Sequence, residues 1–153
     1  RDAMTRAERQ ERARVRPEKF GGGVIYKDSN GEIFRTILVC NKTEDKDGDG
    51  QIDYPGDYEG IKNTFSRKEP ITIRAVFEES FPFIECKIFD NERELWTIWD
   101  KSFYEVNSNV IEQYYKPRKF GARKHFAKFY GYGYNRSGER FLGKIEFEVY
   151  EER

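Results

Sequence analysis

A chain of 153 residues has room for one domain, which at this size buries roughly 70% of the surface its unfolded form exposes, and not for two. Ile, Val, Phe, Tyr and Trp number 44 against ten of Leu, Ala and Met, a balance that favours strands over helices. The 28 basic and 28 acidic residues cancel, which argues against a polyanion-binding protein; no run of about 18 apolar residues exists to span a membrane, and no signal-peptide hydrophobic region is expected.

The cancellation is regional. Residues 1–19 balance at +3, residues 41–59 at −5, and residues 113–138 at +7 with no acid at all. Two functional candidates therefore stand out, an acidic loop near residue 50 and a basic, aromatic tract near residue 125.

In chain order, residues 1–19 are rich in Arg, Glu and Ala and end at Pro17, which predicts an N-terminal helical arm with a thin apolar stripe of Met4, Ala7 and Val15. The chain begins at Arg1, and two origins stay open: a vector segment ending near Met4, or a leader or anchor cleaved from a longer precursor. Residues 20–23 hold Gly21-Gly22-Gly23, a flexible joint before a domain over 24–153. From Val24 the period is two. Strands are expected over Val24–Lys27 and Glu32–Asn41, around the turn signal Asp28-Ser29-Asn30-Gly31. Further strands are expected over Ile71–Phe77, Phe83–Asp90 and Leu95–Trp99, the last two joined by a turn at Asp90-Asn91-Glu92-Arg93. A helical turn or long crossover is expected between Ser102 and Tyr115. In the last strand Phe141, Gly143, Ile145, Phe147 and Val149 share a buried face opposite solvated Lys144, Glu146 and Glu148. About seven short strands without a βαβ rhythm predict an all-β fold, an antiparallel immunoglobulin-like sandwich.

In the acidic loop, residues 45–57 read Asp-Lys-Asp-Gly-Asp-Gly-Gln-Ile-Asp-Tyr-Pro-Gly-Asp. Carboxylates at alternate positions of a tight loop converge, Gly50 permits the sharp turn, and a hard cation taking about six to eight oxygen ligands suits them. The segment resembles the DxDxDG calcium loops of the EF-hand, dockerin and thrombospondin type 3 families over about a dozen residues. That resemblance implies calcium, with Asp45, Asp47 and Asp49 as first, third and fifth ligands, Gln51 offering its backbone carbonyl, Ile52 at the apolar eighth position and Asp53 at the ninth. The twelfth position is Gly56, where the EF-hand has a bidentate Glu, and Asp57 or Glu59 replaces it. The flanks read as strand and loop rather than as helices.

From Tyr114 to Arg136 seven cations alternate with eight aromatic residues. The candidate partner-binding residues are Tyr115, Arg118, Lys119, Arg123, Lys124, Tyr132 and Tyr134. A protein partner or self-assembly is the first reading, stacking on a glycan the second, and nucleic acid the least favoured in a neutral chain. Against all three stands a structural reading, in which Phe126 and Phe129 are core residues and the cations are solvated.

No nucleophile elbow, phosphate loop or dinucleotide fingerprint is present, and the single histidine, His125, has no obvious carboxylate to orient it, so no enzyme is expected. Acid pairs such as Glu78-Glu79 and Glu92-Glu94 suit solvated strand ends as well as they suit a glycosidase. Cys40 and Cys86 match no metal spacing, and a disulfide and two buried thiols both remain open. Asn41-Lys42-Thr43 and Asn135-Arg136-Ser137 fit the N-glycosylation pattern, the second at an expected hairpin tip. These observations predict a secreted or cell-surface calcium-binding sandwich with a structural or adhesive role. The alternative is a carbohydrate-binding module or an accessory domain of a secreted enzyme. A helix joined by glycines to a sandwich is similar in plan to pilin-like and archaellin-like filament subunits, although residues 1–19 lack their hydrophobic helix.

Overall fold

The computed structural model describes residues 5–9, 17–89, 97–103, 108–117 and 123–151. Its strands are β1 (Pro17–Phe20), β2 (Gly23–Lys27), β3 (Ile33–Cys40), β4 (Lys42–Thr43), β5 (Tyr58–Glu59), β6 (Thr64–Ser66), β7 (Ile71–Phe81), β8 (Phe83–Phe89), β9 (Thr97–Phe103), β10 (Ser108–Tyr115), β11 (Lys124–Tyr132) and β12 (Arg140–Tyr150). They form two five-stranded sheets, β1-β2-β3-β7-β10 and β6-β12-β11-β8-β9, and a two-stranded ribbon of β4 and β5. Pairing is antiparallel throughout except where β6 runs parallel to β12. The fold is an all-β sandwich.

Period two builds the core. Ile37, Val39, Ile73, Ala75 and Phe77 of the first sheet face Ile84, Cys86, Ile88, Ala127 and Phe129 of the second. Phe77 and Phe129 meet across the gap with ring centroids 6.3 Å apart. One charge crosses the same gap: Arg35 of β3, almost wholly buried, forks onto Glu78 at 3.0 and 2.6 Å and donates from Nη1 to the Leu142 carbonyl of β12 at 2.7 Å. Burial pushes the Glu78 carboxyl up, and the Arg35 guanidinium, the Glu78 backbone N–H and Arg140 together more than offset this, leaving it below the ordinary range.

Several expectations are corrected. Of the expected N-terminal helical arm, the described residues hold helix at 6–9 and strand β1 over Pro17–Phe20, so its end is corrected; residues 1–4 and 10–16, Met4 and Val15 among them, lie outside the described residues. The glycine joint is a tight turn between β1 and β2. Gly22 takes φ 94°, and a Cβ there would stand 2.5 Å from the Lys62 backbone nitrogen, so packing holds what composition alone reads as flexible. The helical turn or crossover expected between Ser102 and Tyr115 gives way to the end of β9 and the whole of β10, where Val110–Tyr115 pair with β7. The turn expected at residues 90–93 lies outside the described residues.

In β12 a register shift opposite Phe129/Tyr130 moves Leu142 into the core and Phe141 to the outer face, against Tyr130 at 5.7 Å. At the bulge, a Cβ on Gly143 would meet the tips of the Ile37 and Tyr26 side chains, so a larger residue there would force these to shift. The cysteines are two free buried thiols. Cys86 lies in the core, while Cys40 lies in a second cluster with Leu38 and Tyr58, and burial pushes its thiol up to about 12.

Candidate metal centre

The acidic loop starts and ends on the β4-β5 ribbon, with Lys42 opposite Glu59 and Thr43 opposite Tyr58. Ile52, Tyr54 and Ile61 pack onto Leu38, Cys40 and Tyr58 on the outer face of the first sheet. This apolar footing explains why the loop is compact despite its charge: the side chains able to leave water anchor it, and Asp47, Asp49 and Asp53 are left on the solvent side.

Two carboxylate triads result. One ligand oxygen from each of Asp45, Asp47 and Asp49 lies within 4.8 Å of the others, and the same holds for Asp47, Asp53 and Asp57. Asp47 belongs to both, so five carboxylates meet around a single residue. Backbone N–H groups hold the loop in this shape. Asp45 accepts from Gly48 at 3.0 Å and Gly50 at 2.7 Å, Asp47 from Asp49 at 3.3 Å, and Asp49 from Gln51 at 2.8 Å. Gly50 adopts φ 84°, the left-handed conformation that the tight turn requires. Asp57, only 5% exposed, ties the two ends together by accepting from Lys46 at 3.1 Å and from Asp53 at 2.9 Å.

Electrostatics follow from the crowding. The Gly50 N–H holds the Asp45 carboxyl below the ordinary range. Asp47 is raised, first by its contact with Asp45, and Asp53 is raised by the negative charge of Asp49 ahead of partial burial and Asp57. A divalent cation would relieve the repulsion, and an all-oxygen, all-carboxylate donor set suits a hard one. Of the two replacements expected for the twelfth ligand, Asp57 enters a triad, whereas Glu59 stands 3.8 Å from the ammonium groups of Lys42 and Lys46. Gln51 donates its N–H to Asp49 at 2.8 Å.

The basic tract is arranged otherwise. Tyr115, read from sequence as a partner-facing residue, is 7% exposed and packs edge-on against His125 at 5.6 Å and Phe147 at 5.9 Å. His125 itself is buried and stacks on Phe147 at 5.4 Å. Arg118 and Lys119 lie outside the described residues. Arg123 is exposed and pairs with Glu148 at 2.7 Å, and Lys124 is exposed beside it. The Tyr132 hydroxyl lies 2.9 Å from Glu85 and 3.1 Å from Glu139; burial, then those carboxylates, raise its pKa. Tyr134 is 68% exposed in the turn after β11. Among the described residues, the exposed members thus sit at opposite ends of a nine-residue strand, roughly 30 Å apart, and form no single patch.

Sequence reasoning missed two features. The first is the sharing of Asp47 between triads, for which alternate spacing gives no signal. The second is an ion pair between Glu8 and Lys128, although Thr5-Arg6-Ala7-Glu8 carried the signature of a helix start. Of the two glycosylation patterns, Asn135 is exposed at the expected turn, while the Asn41 amide donates to Glu69 and to the Pro70 carbonyl, both at 2.9 Å. Compared with protein-family models, with curated proteins and with solved structures, the chain matches none.

Proposed function

We propose that residues 45–57 hold a calcium ion and that the protein is a calcium-stapled sandwich acting outside the cell in a structural or adhesive role. The observation that carries the reading is the pair of carboxylate triads meeting at Asp47 on an apolar footing. Asp45, Asp47, Asp49, Asp53 and Asp57 supply side-chain oxygens, and the Gln51 backbone carbonyl adds a sixth. Lacking the bidentate Glu of the EF-hand, such a site is expected to bind weakly, and weak sites fill where calcium is in the millimolar range, as it is extracellularly. The ion's work is then to hold a long loop between β4 and β5 rather than to trigger a change of shape.

Calorimetric titration with calcium, alongside thermal melts with calcium and with EDTA, tests the proposal. Heat of binding and a melt raised by calcium are expected, with Asp47→Asn reducing affinity by roughly tenfold or more because it weakens both triads. Identical melts in calcium and EDTA would overturn it. The structural or adhesive role is tested by sedimentation in millimolar calcium, where self-association lost on Asp47→Asn is expected.

A further inference from the structure

The fold treats the two Asn-x-Ser/Thr patterns of the chain in opposite ways. Asn41 stands at the junction of β3 and β4 with its amide already engaged. Nδ2 donates to Glu69 and to the Pro70 carbonyl, both at 2.9 Å, and Oδ1 lies so close to Gly60 that a Cβ there would meet it. The hydroxyl of the same pattern, on Thr43, donates to Glu112 at 2.8 Å. An enzyme could take up this pattern only by breaking contacts to the turn between β6 and β7 and to β10.

Asn135 lies in the turn that joins β11 to β12, and that turn is closed by its backbone. Gly133 donates its N–H to the Ser137 carbonyl at 2.7 Å, and the Tyr134 carbonyl accepts from the Ser137 N–H at 3.3 Å and from the Ser137 hydroxyl at 2.8 Å. Asn135 takes φ 61° and ψ 24°, and among the described residues it is the only one besides glycine with positive φ. Asn tolerates this left-handed conformation better than most side chains. Asn135 and Ser137 are both exposed, and no hydrogen bond to the Asn135 amide is present among the described residues. The turn therefore uses the backbone of Asn135 and leaves its amide to solvent.

We propose that Asn135 is the acceptor of an N-linked glycan, donated by a lipid-diphosphate-linked oligosaccharide, and that the fold withholds Asn41 from the same reaction. Transfer forms a bond from Asn135 Nδ2 to the anomeric carbon of the first sugar and breaks that carbon's bond to the lipid diphosphate. The diphosphate leaves with the bonding pair, and one Nδ2 proton is lost to solvent. The Ser137 hydroxyl, the other recognised group of the pattern, is exposed and bonded only within the turn, so an enzyme can draw it away at small cost. A glycan on Asn135 displaces no packed group, whereas one on Asn41 would replace an N–H donor held by Glu69 or Pro70. The inference rests on the reading that the protein acts outside the cell, since exported chains are the ones that meet such donors. It makes no use of the metal centre.

The test starts from the full chain made without glycosylation and shown to be folded by a cooperative melt. It is incubated with an oligosaccharyltransferase specific for Asn-x-Ser/Thr and the lipid-linked donor, and the intact mass is measured. A gain of one glycan is expected. Peptide-N-glycosidase converts the glycosylated Asn to Asp, so release in heavy-oxygen water should place the label at position 135. Asn135→Gly keeps the left-handed backbone, so it should melt as the wild type does and gain no glycan. Thr43→Val, which spoils only the other pattern, should gain the glycan as the wild type does. A folded chain that gains nothing while a control acceptor is modified would overturn the proposal, as would a label at Asn41. The result is separable from the calcium titration. Transfer to a chain that binds no calcium would uphold Asn135 and remove the metal reading, and calcium binding by a chain that accepts no glycan would do the reverse.

Discussion

The acidic loop and the basic tract have nearly opposite charge, and both alternate charged with uncharged residues, yet the fold treats them in opposite ways. Between the acids stand glycines, so the segment 45–57 turns back repeatedly and its carboxylates converge, all but Asp57 toward solvent, while Ile52 and Tyr54 reach an apolar surface. Between the cations stand Phe and Tyr, so the segment 124–132 extends, becomes a central strand, and carries Lys128 and His125 into the interior. Charge patterning alone therefore does not mark a surface. The residues between the charges decide whether a segment can leave water.

The comparison is broken most directly at Phe129, which is buried against Phe77. Phe129→Ala should cost about 3–5 kcal/mol in chemical denaturation. A loss below about 1 kcal/mol would mean that the tract is not core and would reopen its reading as a partner surface. Next in size, a hundredfold excess of calcium over its dissociation constant should stabilise the fold by about 2.7 kcal/mol, read as a raised melting temperature. Ile52→Ala, at the half-buried footing of the loop, should cost about 1–2 kcal/mol and weaken calcium binding as well, separating anchorage from ligation.

Acidification sharpens the picture further. Because Asp47 and Asp53 are raised, the calcium-free fold holds their protons more tightly than the unfolded chain does; this favours it at low pH and is lost as pH rises through those values. Asp45, being lowered, acts in the opposite sense: its contribution is present above the ordinary aspartate range and is lost only well below it. Calcium must displace the protons on Asp47 and Asp53, so the stabilisation it gives should be smallest in acid and grow as pH rises through a window just above the ordinary aspartate range. Melts with and without calcium across that window measure it, and a calcium effect constant through the window would contradict the assignment. The smallest effect is expected at Tyr134. Tyr134→Ala should change stability by less than about 0.5 kcal/mol, so a larger loss would show that the turn is held more firmly than its exposure suggests.

Much of the fold was legible because strand periodicity is local. The alternation of Ile71, Ile73, Ala75 and Phe77 placed that face in the core without knowledge of its neighbours. The three aspartates before Gly50 were legible for the same reason, since alternate spacing in a turn brings oxygens together whatever surrounds it. Other features depend on partners distant in sequence. The expected helix over residues 1–19 followed helix propensity, but Pro17–Phe20 pair with β2 and the tertiary gain outweighs the local preference. Gly22 reads as flexible until Lys62 is packed on it, and Phe141 reads as core until the bulge at Gly143 rotates Leu142 inward in its place.

The amino-acid order by itself determined the all-β class, the core faces of the regular strands and the identity of the clustered aspartates, because each follows from residues within a few positions of one another. Only the tertiary structure decided that Asp57 closes the loop, that Asp47 serves both triads, that Tyr115 is withdrawn from the surface, and that Glu8 meets Lys128. Each of these joins residues that the chain separates and the packed sheets bring together, and burial, which sets the strength of a charge or a ring contact, exists only once that packing is complete.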